Sequence, residues 1–484
     1  MKHLKHLFTV LLLLCATVAT AYDFEVGGIY YSITYPYTTV KVTYQGSSYY
    51  TGSVVIPESV AYNGKTYSVT EIGNYAFQDC TGLTSIMIGN SVTSIGESAF
   101  EGCTGLTSIE IPNSVTSIGG LAFRGCTALK DLHIADGNGT LTLGSRVFYD
   151  CPLKTLYLGR DLSHGTYNSA PFYSKESLIS VTISNNVTRI EKSTFYGCSG
   201  LTSVEIPSSV TSIGEWAIRG CSGLTNITIP NSVTRIGDDA FVGCSGLKTV
   251  INFSNLTFIK GKESYGRVAY YANKVINAPN GFIDGDFVWS ENENGLTLHG
   301  CLGDVTGFSL PTEYNGNSVT SIGNSAFCGC NDLTGELVIP NNITSIGTSA
   351  FEGCANIEGL YISNSLESIG EKAFAGCEKI KEIKVGLEKP IRGAANIFAD
   401  AVYDNAILYV PTGTKSLYEK REPWNLFFDI VEMDFTGIEN VKGESGTDDR
   451  RESKVKTVYD LNGRAVENPT NGIYVVNGKK VLVK

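Results

Sequence analysis

A phenylalanine that returns every 23 or 24 residues constrains this chain more than any other feature. Phe77, Phe100 and Phe123 are 23 residues apart, Phe148 and Phe172 follow after 25 and 24, and Phe195, Ile218 and Phe241 resume the step of 23. A second run sets Phe327, Phe351, Phe374 and Phe398 at steps of 24, 23 and 24. Laying residues 95–115 over 118–140 and 213–233 exposes a shared phrase, I-G-x-x-A-F-x-G-C-x-x-L-T-S-I-x-I-P-x-S-V-T-S. A unit this short cannot bury an apolar face alone, so successive copies must stack and share one core. The 484-residue length therefore says little about domain count.

Within one copy, Leu106, Ile109 and Ile111 form L-x-x-I-x-I, the alternation of a strand buried on one side. Pro112 cannot donate to a ladder and marks the corner where the chain leaves the sheet. Val115 and Ile118 make a second short extended side, Gly119 a tight turn, and Ala122–Phe123 a brief helical turn with Phe123 inward. Stacked coils hold equivalent positions about 4.8 Å apart, so each side chain meets its own counterpart. A repeat with this leucine pattern and a period between about 20 and 29 residues predicts a β-rich leucine-rich-repeat solenoid. Its parallel sheet occupies one face, with short extended and helical turns on the others.

Ten cysteines, Cys80, Cys103, Cys126, Cys151, Cys198, Cys221, Cys244, Cys330, Cys354 and Cys377, each follow the phenylalanine position by three. In an exported chain such a set invites a disulfide reading. Parallel coils, however, point neighbouring Cβ atoms the same way, which is poor geometry for a bridge, so buried thiols are expected. No Cys-x-x-Cys spacing supports a metal site.

Residues 1–21 read as a signal peptide: Lys2 and Lys5, an apolar run from Leu7 to Leu14, then Ala19-Thr20-Ala21. Cys15 raises lipidation as an alternative, against which stands the bulky Leu14 before it. Residues 22–69 are expected to form a β cap of hairpins (29–33, 39–44, 53–57), 70–251 a first array and 252–316 degenerate repeats with a second lead-in. A second array then spans 317–405, a C-terminal cap 406–435, a charged linker 436–456, and a short β tail 457–484. Tyr62-Asn63-Gly64 and Tyr314-Asn315-Gly316 open the two arrays alike.

The shared phrase resembles the BspA-like, or Treponema-type, leucine-rich repeats of bacterial surface proteins over roughly residues 22–435. That resemblance implies export, a solenoid, and adhesion to host matrix or bacterial surface proteins. The tail, Val458-Tyr459-Asp460-Leu461-Asn462-Gly463-Arg464 with Gly472-Ile473-Tyr474, is similar to type IX secretion C-terminal sorting domains, though shorter.

The net charge of −11, or −13 without Lys2 and Lys5, disfavours nucleic acid and anionic lipid. No stretch after the leader is long and apolar enough to span a bilayer. His133, His164 and His299 alone remain after cleavage, little raw material for metal or nucleophilic chemistry. Asp284-Gly285-Asp286 lacks the continuation of a calcium loop and reads as a solvated turn. No catalytic residue, cofactor or metal is therefore assigned, although Trp289, His299 and Cys301 keep an enzyme within 252–316 as a rival. The outward strand positions are the candidate surface for an extracellular protein, with glycan the alternative. Among those that depart from the Ser and Thr expected on an exposed strand, the candidate partner-binding residues are Met87, Glu110, Asp131, His133, Tyr157, Glu205, Tyr361 and Lys384.

Overall fold

A computed structural model describes residues 22–44, 49–165, 167–303 and 309–435, and in the tail the strands Val458–Tyr459, Ala465–Val466, Gly472–Val476 and Lys479–Val483. The leader, Cys15 and the 436–456 linker lie outside the described residues. Contacts divide the chain into two units, Met1–Val275 and Ile276–Lys484. Each is a β-solenoid of stacked parallel strands with very little helix.

In the first unit, Phe24–Val26, Ile29–Thr34 and Thr39–Val42 form an antiparallel meander. Thr39–Val42 then pairs in parallel with Lys65–Ile72, which begins a ladder through Ser94–Ile95, Ser117–Ile118, Leu141–Leu143 and Leu162–Ser163. Asn63 (φ 47°) and Gly64 (φ 73°) turn the hairpin between Ser59–Tyr62 and Lys65–Ile72, as the lead-in phrase suggests. The expected hairpin at 53–57 is instead a rung of the solenoid: Gly52–Ile56 lies parallel to Leu83–Ile88.

The main sheet stacks Ser108–Ile111, Asp131–Ile134, Thr155–Leu158 and Ser180–Ile183 without a register shift. Register follows from the side-chain period of two, since a slip of one would turn Ile109 and Ile111 out to water. Sequence-equivalent residues thus meet: Ile109, Leu132, Leu156 and Val181 inside, Glu110, His133, Tyr157 and Thr182 outside. The side carrying the phenylalanine is a run of turns, not a helical turn. Two residues before most of the rings, though not before Phe172 or Phe398, the backbone enters the left-handed region (Ser98 φ 49°, Leu121 φ 58°), which breaks a helix.

The rings form a column. Phe77, Phe100, Phe123 and Phe148 are fully buried, with centroids 5.0, 5.0 and 5.4 Å apart and planes within 14°. In the second unit Phe327, Phe351, Phe374 and Phe398 stack at 5.3, 5.2 and 5.5 Å. There Asn317–Ile322, Ser345–Ile346 and Ser368–Ile369 make the short ladder. Gly335–Ile339, Ile357–Ile362, Glu382–Val385, Ile407–Pro411 and Asp429–Met433 make the longer one. Trp424 and Tyr418 close its core, held by hydrogen bonds to the carbonyls of Ile391 and Leu387. The tail strands form an antiparallel sheet of four.

Among the described residues the cysteines form no disulfide. In each array, every ladder thiol after the first donates to the carbonyl at the phenylalanine position of the coil before. Cys103 reaches Phe77 at 3.1 Å, Cys126 reaches Phe100 at 3.1 Å and Cys377 reaches Phe351 at 3.1 Å. The residue is therefore small, apolar and a donor at once, which neither alanine nor serine matches. Burial pushes the Cys80 thiol up to about 11 and that of Cys198 up to about 12, suppressing the reactive thiolate. Maleimide should therefore label exposed Cys328 first in the native protein and the ladder only after denaturation. Labelling of Cys126 as fast as Cys328, read by peptide mass mapping, would contradict the assignment.

Candidate functional site

The repeats serve as their own standard, and three successive coils depart from it. Pro112, Pro207, Pro230 and Pro340 end four of the sheet strands; these three coils carry Ala135, Gly159 and Ser184 there, and Gly89, Ser363 and Gly386 show that the position also varies elsewhere. An insertion around Gly137–Gly139 accounts for the 25-residue step from Phe123 to Phe148. At the cysteine position Lys175 stands between Cys151 and Cys198, buried, with burial pushing its ammonium pKa down.

The departures converge on one outward column. In register, Glu110, His133, Tyr157 and Thr182 follow one another across four strands, beside Ser108, Asp131, Thr155 and Ser180. The rings of His133 and Tyr157 stack with centroids 4.5 Å apart and planes 12° from parallel, so their faces look along the ladder. Tyr157 Oη donates to Asp136, 3.1 Å from both carboxylate oxygens. Hydrogen bonds from Ser184, Tyr157 and Asn186, aided by the His133 charge, hold the Asp136 carboxyl below its ordinary range. Thr155 Oγ1 donates to Asp131 Oδ1 at 2.6 Å. Between the two columns lies an open groove of about 400 Å³.

Beneath the corner, Arg160 is 2 % exposed and forms no ion pair among the described residues. It donates instead to the carbonyls of Asn113 (2.7 Å) and Pro112 (2.9 Å), two coils back. Its Cδ also lies where a Cβ on Gly137 would meet it at 3.4 Å, so the arginine shores up the inserted loop that carries Asp136. Arg160→Met should lower unfolding stability by about 2 kcal/mol, because two buried acceptors lose their donors. It should also release Tyr157, seen as loss of the ordered Tyr157 ring signals in NMR; unchanged ring signals would separate the two.

The other sequence candidates are scattered. Met87 is 65 % exposed and pairs across from exposed Val55, a small apolar spot on a separate two-stranded sheet. Glu205 is exposed on a coil whose 203–206 stretch makes no strand. Lys384 is engaged within its own sheet: it reaches across side-chain-free Gly359 to Glu336 at 2.9 Å and lies 3.6 Å from Glu382. Tyr361 corrects the expectation of an exposed ring, for it is only 7 % exposed. It faces outward, but Val338 and Phe435, from the segment after the last strand, pack over it. The sequence missed Asp136, Arg160 and Asn186, which lie past the strands; the longer step from Phe123 to Phe148 was the available signal.

In the rival segment, Ser290 Oγ lies 2.7 Å from His299 Nε2. Burial lowers the His299 pKa to about 4, and Gly323 packs against its ring. Trp289 and Cys301 are core residues of the second unit. Asp284 and Asp286 flank Gly285 (φ 55°) at an exposed turn. Among the described residues no group of three or more His, Cys, Asp or Glu is placed to hold a metal, and no helix is long and apolar enough to cross a membrane.

Comparison with known proteins adds the lineage of the repeat. Residues 58–167, 165–266 and 305–401 match the profile of the BspA type Leucine rich repeat region, in six copies. No curated protein sequence matches. Among solved structures, a leucine-rich repeat protein from Bacteroides ovatus is 23% identical over 85% of this chain and 100% of its own, with a TM-score of 0.38. A leucine rich cell surface protein from Faecalibacterium prausnitzii is 23% identical over 85% of this chain and 95% of its own, TM-score 0.33. A T. pallidum leucine rich repeat protein is 26% identical over 46% of this chain and 90% of its own, TM-score 0.29.

Proposed function

The chain belongs to the BspA-type leucine-rich-repeat family, and on that premise we propose that it is an exported, cell-surface solenoid that binds a partner protein through the groove beside His133 and Tyr157. One observation carries the reading. The inserted loop and the coil after Tyr157 supply Asp136, Ser184 and Asn186, which hold one half-buried outward ring in place. Holding an aromatic side chain rigid at a surface costs conformational entropy that packing alone would not demand, and rigid aromatics are the usual anchors of protein contacts. Glu110 and Asp131 line the same groove, Met87 and Glu205 would be peripheral to it, and Lys384 belongs to the second unit.

On this reading residues 22–69 and 406–435 cap the arrays, 252–316 joins them, 436–456 tethers a sorting tail at 457–484, and the leader directs export. The test is retention of purified extracellular matrix proteins and of bacterial surfaces on the exported chain. Retention should fall with His133→Ala and Tyr157→Ala and persist with Thr116→Ala on the opposite ladder. A broad panel with no partner, or one indifferent to Tyr157, would count against it.

A further inference from the structure

We propose that the groove takes the guanidinium of an arginine carried on an extended protein segment, seated on the open face of Tyr157. This rests on the protein-binding reading and specifies its chemistry. The His133–Tyr157 stack has two outer faces, one toward Glu110 and the other toward Thr182, because these four residues are consecutive rungs. On the Thr182 side the neighbouring side chain is short, and half-buried Tyr157 lines the groove there together with Ser180 and Thr182. One hydrogen bond, shared between the two Asp136 carboxylate oxygens, fixes that ring before any ligand arrives. A planar cation stacks on such a face with little reorganisation, and the Ser180 and Thr182 hydroxyls beneath accept its N–H groups.

Charge complementarity names the occupant. Asp136 sits at the rim of the ring, Glu110 and Asp131 lie along the groove, and the following coil exposes Glu205. No outward position of Ser108–Ile111, Asp131–Ile134, Thr155–Leu158 or Ser180–Ile183 carries lysine or arginine. Lys130 and Lys154 are exposed just before their strands, at the opposite end of the rungs from Asp136 and Glu110, so the groove is graded from basic to acidic. An arginine on a chain lying along the ladder would enter from the acidic side. A lysine supplies charge without the planar stack, so arginine is preferred.

The full exported chain would be titrated with N-acetyl-Gly-Arg-Gly-Arg-Gly-amide, the citrulline counterpart and a panel of oligosaccharides, by calorimetry at low and moderate salt. Arginine should bind about tenfold more tightly than citrulline, which keeps the plane and loses the charge. Tyr157→Ala should abolish the preference, Tyr157→Phe should weaken it while keeping the ring, and Glu110→Gln should flatten the salt dependence. Circular dichroism checks that each variant stacks. Equal binding of citrulline, arginine binding indifferent to Tyr157→Ala, or oligosaccharide binding in its place would overturn the inference. Capture of a protein that needs Tyr157 but not its own arginines would overturn this inference alone. Absence of any Tyr157-dependent capture would remove the reading beneath it.

Discussion

Phe123→Ala should cost the first unit about 4 kcal/mol, the upper range for deleting a buried ring. Phe123 is fully buried between Phe100 at 5.0 Å and Phe148 at 5.4 Å, so the void opens in the middle of the column. Neighbouring coils cannot close on it, because backbone hydrogen bonds hold them apart: Phe100 N donates to Ala122 O and Phe123 N to Val147 O. Phe123→Leu keeps most of the volume and should cost about 1 kcal/mol. Cys126→Ala should cost about 1 kcal/mol as well, since the Phe100 carbonyl keeps its bond from Cys103 N–H when the thiol is lost. The shift of the urea unfolding midpoint at constant slope measures all three. A Phe123→Ala shift no larger than that of Cys126→Ala would mean the column is not the core of the fold.

Gly119→Ala should destabilise by about 3 kcal/mol, although it adds a single methyl to a residue near the surface. A Cβ there would lie 2.4 Å from Glu97 N and 2.6 Å from Gly96 C, backbone atoms of the coil before. Nothing flexible can yield, because Gly119 N donates to Ile95 O and pins the two coils together. Gly237 meets Glu215 N at 2.4 Å and Gly370 meets Thr348 N at 2.4 Å, so the same exchange should be as harmful there. Gly139→Ala, with open space around its Cβ, is the control and should leave the midpoint almost unchanged. Equal shifts at Gly119 and Gly139 would remove close approach as the cause.

The solenoid was legible because its physics is one-dimensional. A step of 23 residues forces like onto like, and the alternation at Leu106, Ile109 and Ile111 says which side is inside. The inner columns followed, as did the outward placement of His133 and Tyr157. What escaped were contacts between residues that are neighbours only through stacking. Asp136 and Tyr157 are 21 residues apart, and Arg160 and Pro112 are 48 apart. Tyr361 was misjudged for the same reason, since Phe435 comes from outside the repeat.

Sequence alone therefore determined the repeat length, the strand that faces inward and the identity of each interior column, because periodicity and hydrophobic alternation act on every copy alike. It also marked Gly119, but as a turn; only the folded backbone shows a residue outside the left-handed region, kept small by the coil beneath it. Tertiary structure likewise decided why the ladder is cysteine, through a thiol that donates to the previous coil's carbonyl. It alone brought the non-repeating residues 135, 136, 160, 184 and 186 to one corner around Tyr157. Those residues obey no period, so their meeting depends on how coils of unequal length stack, which no local pattern encodes.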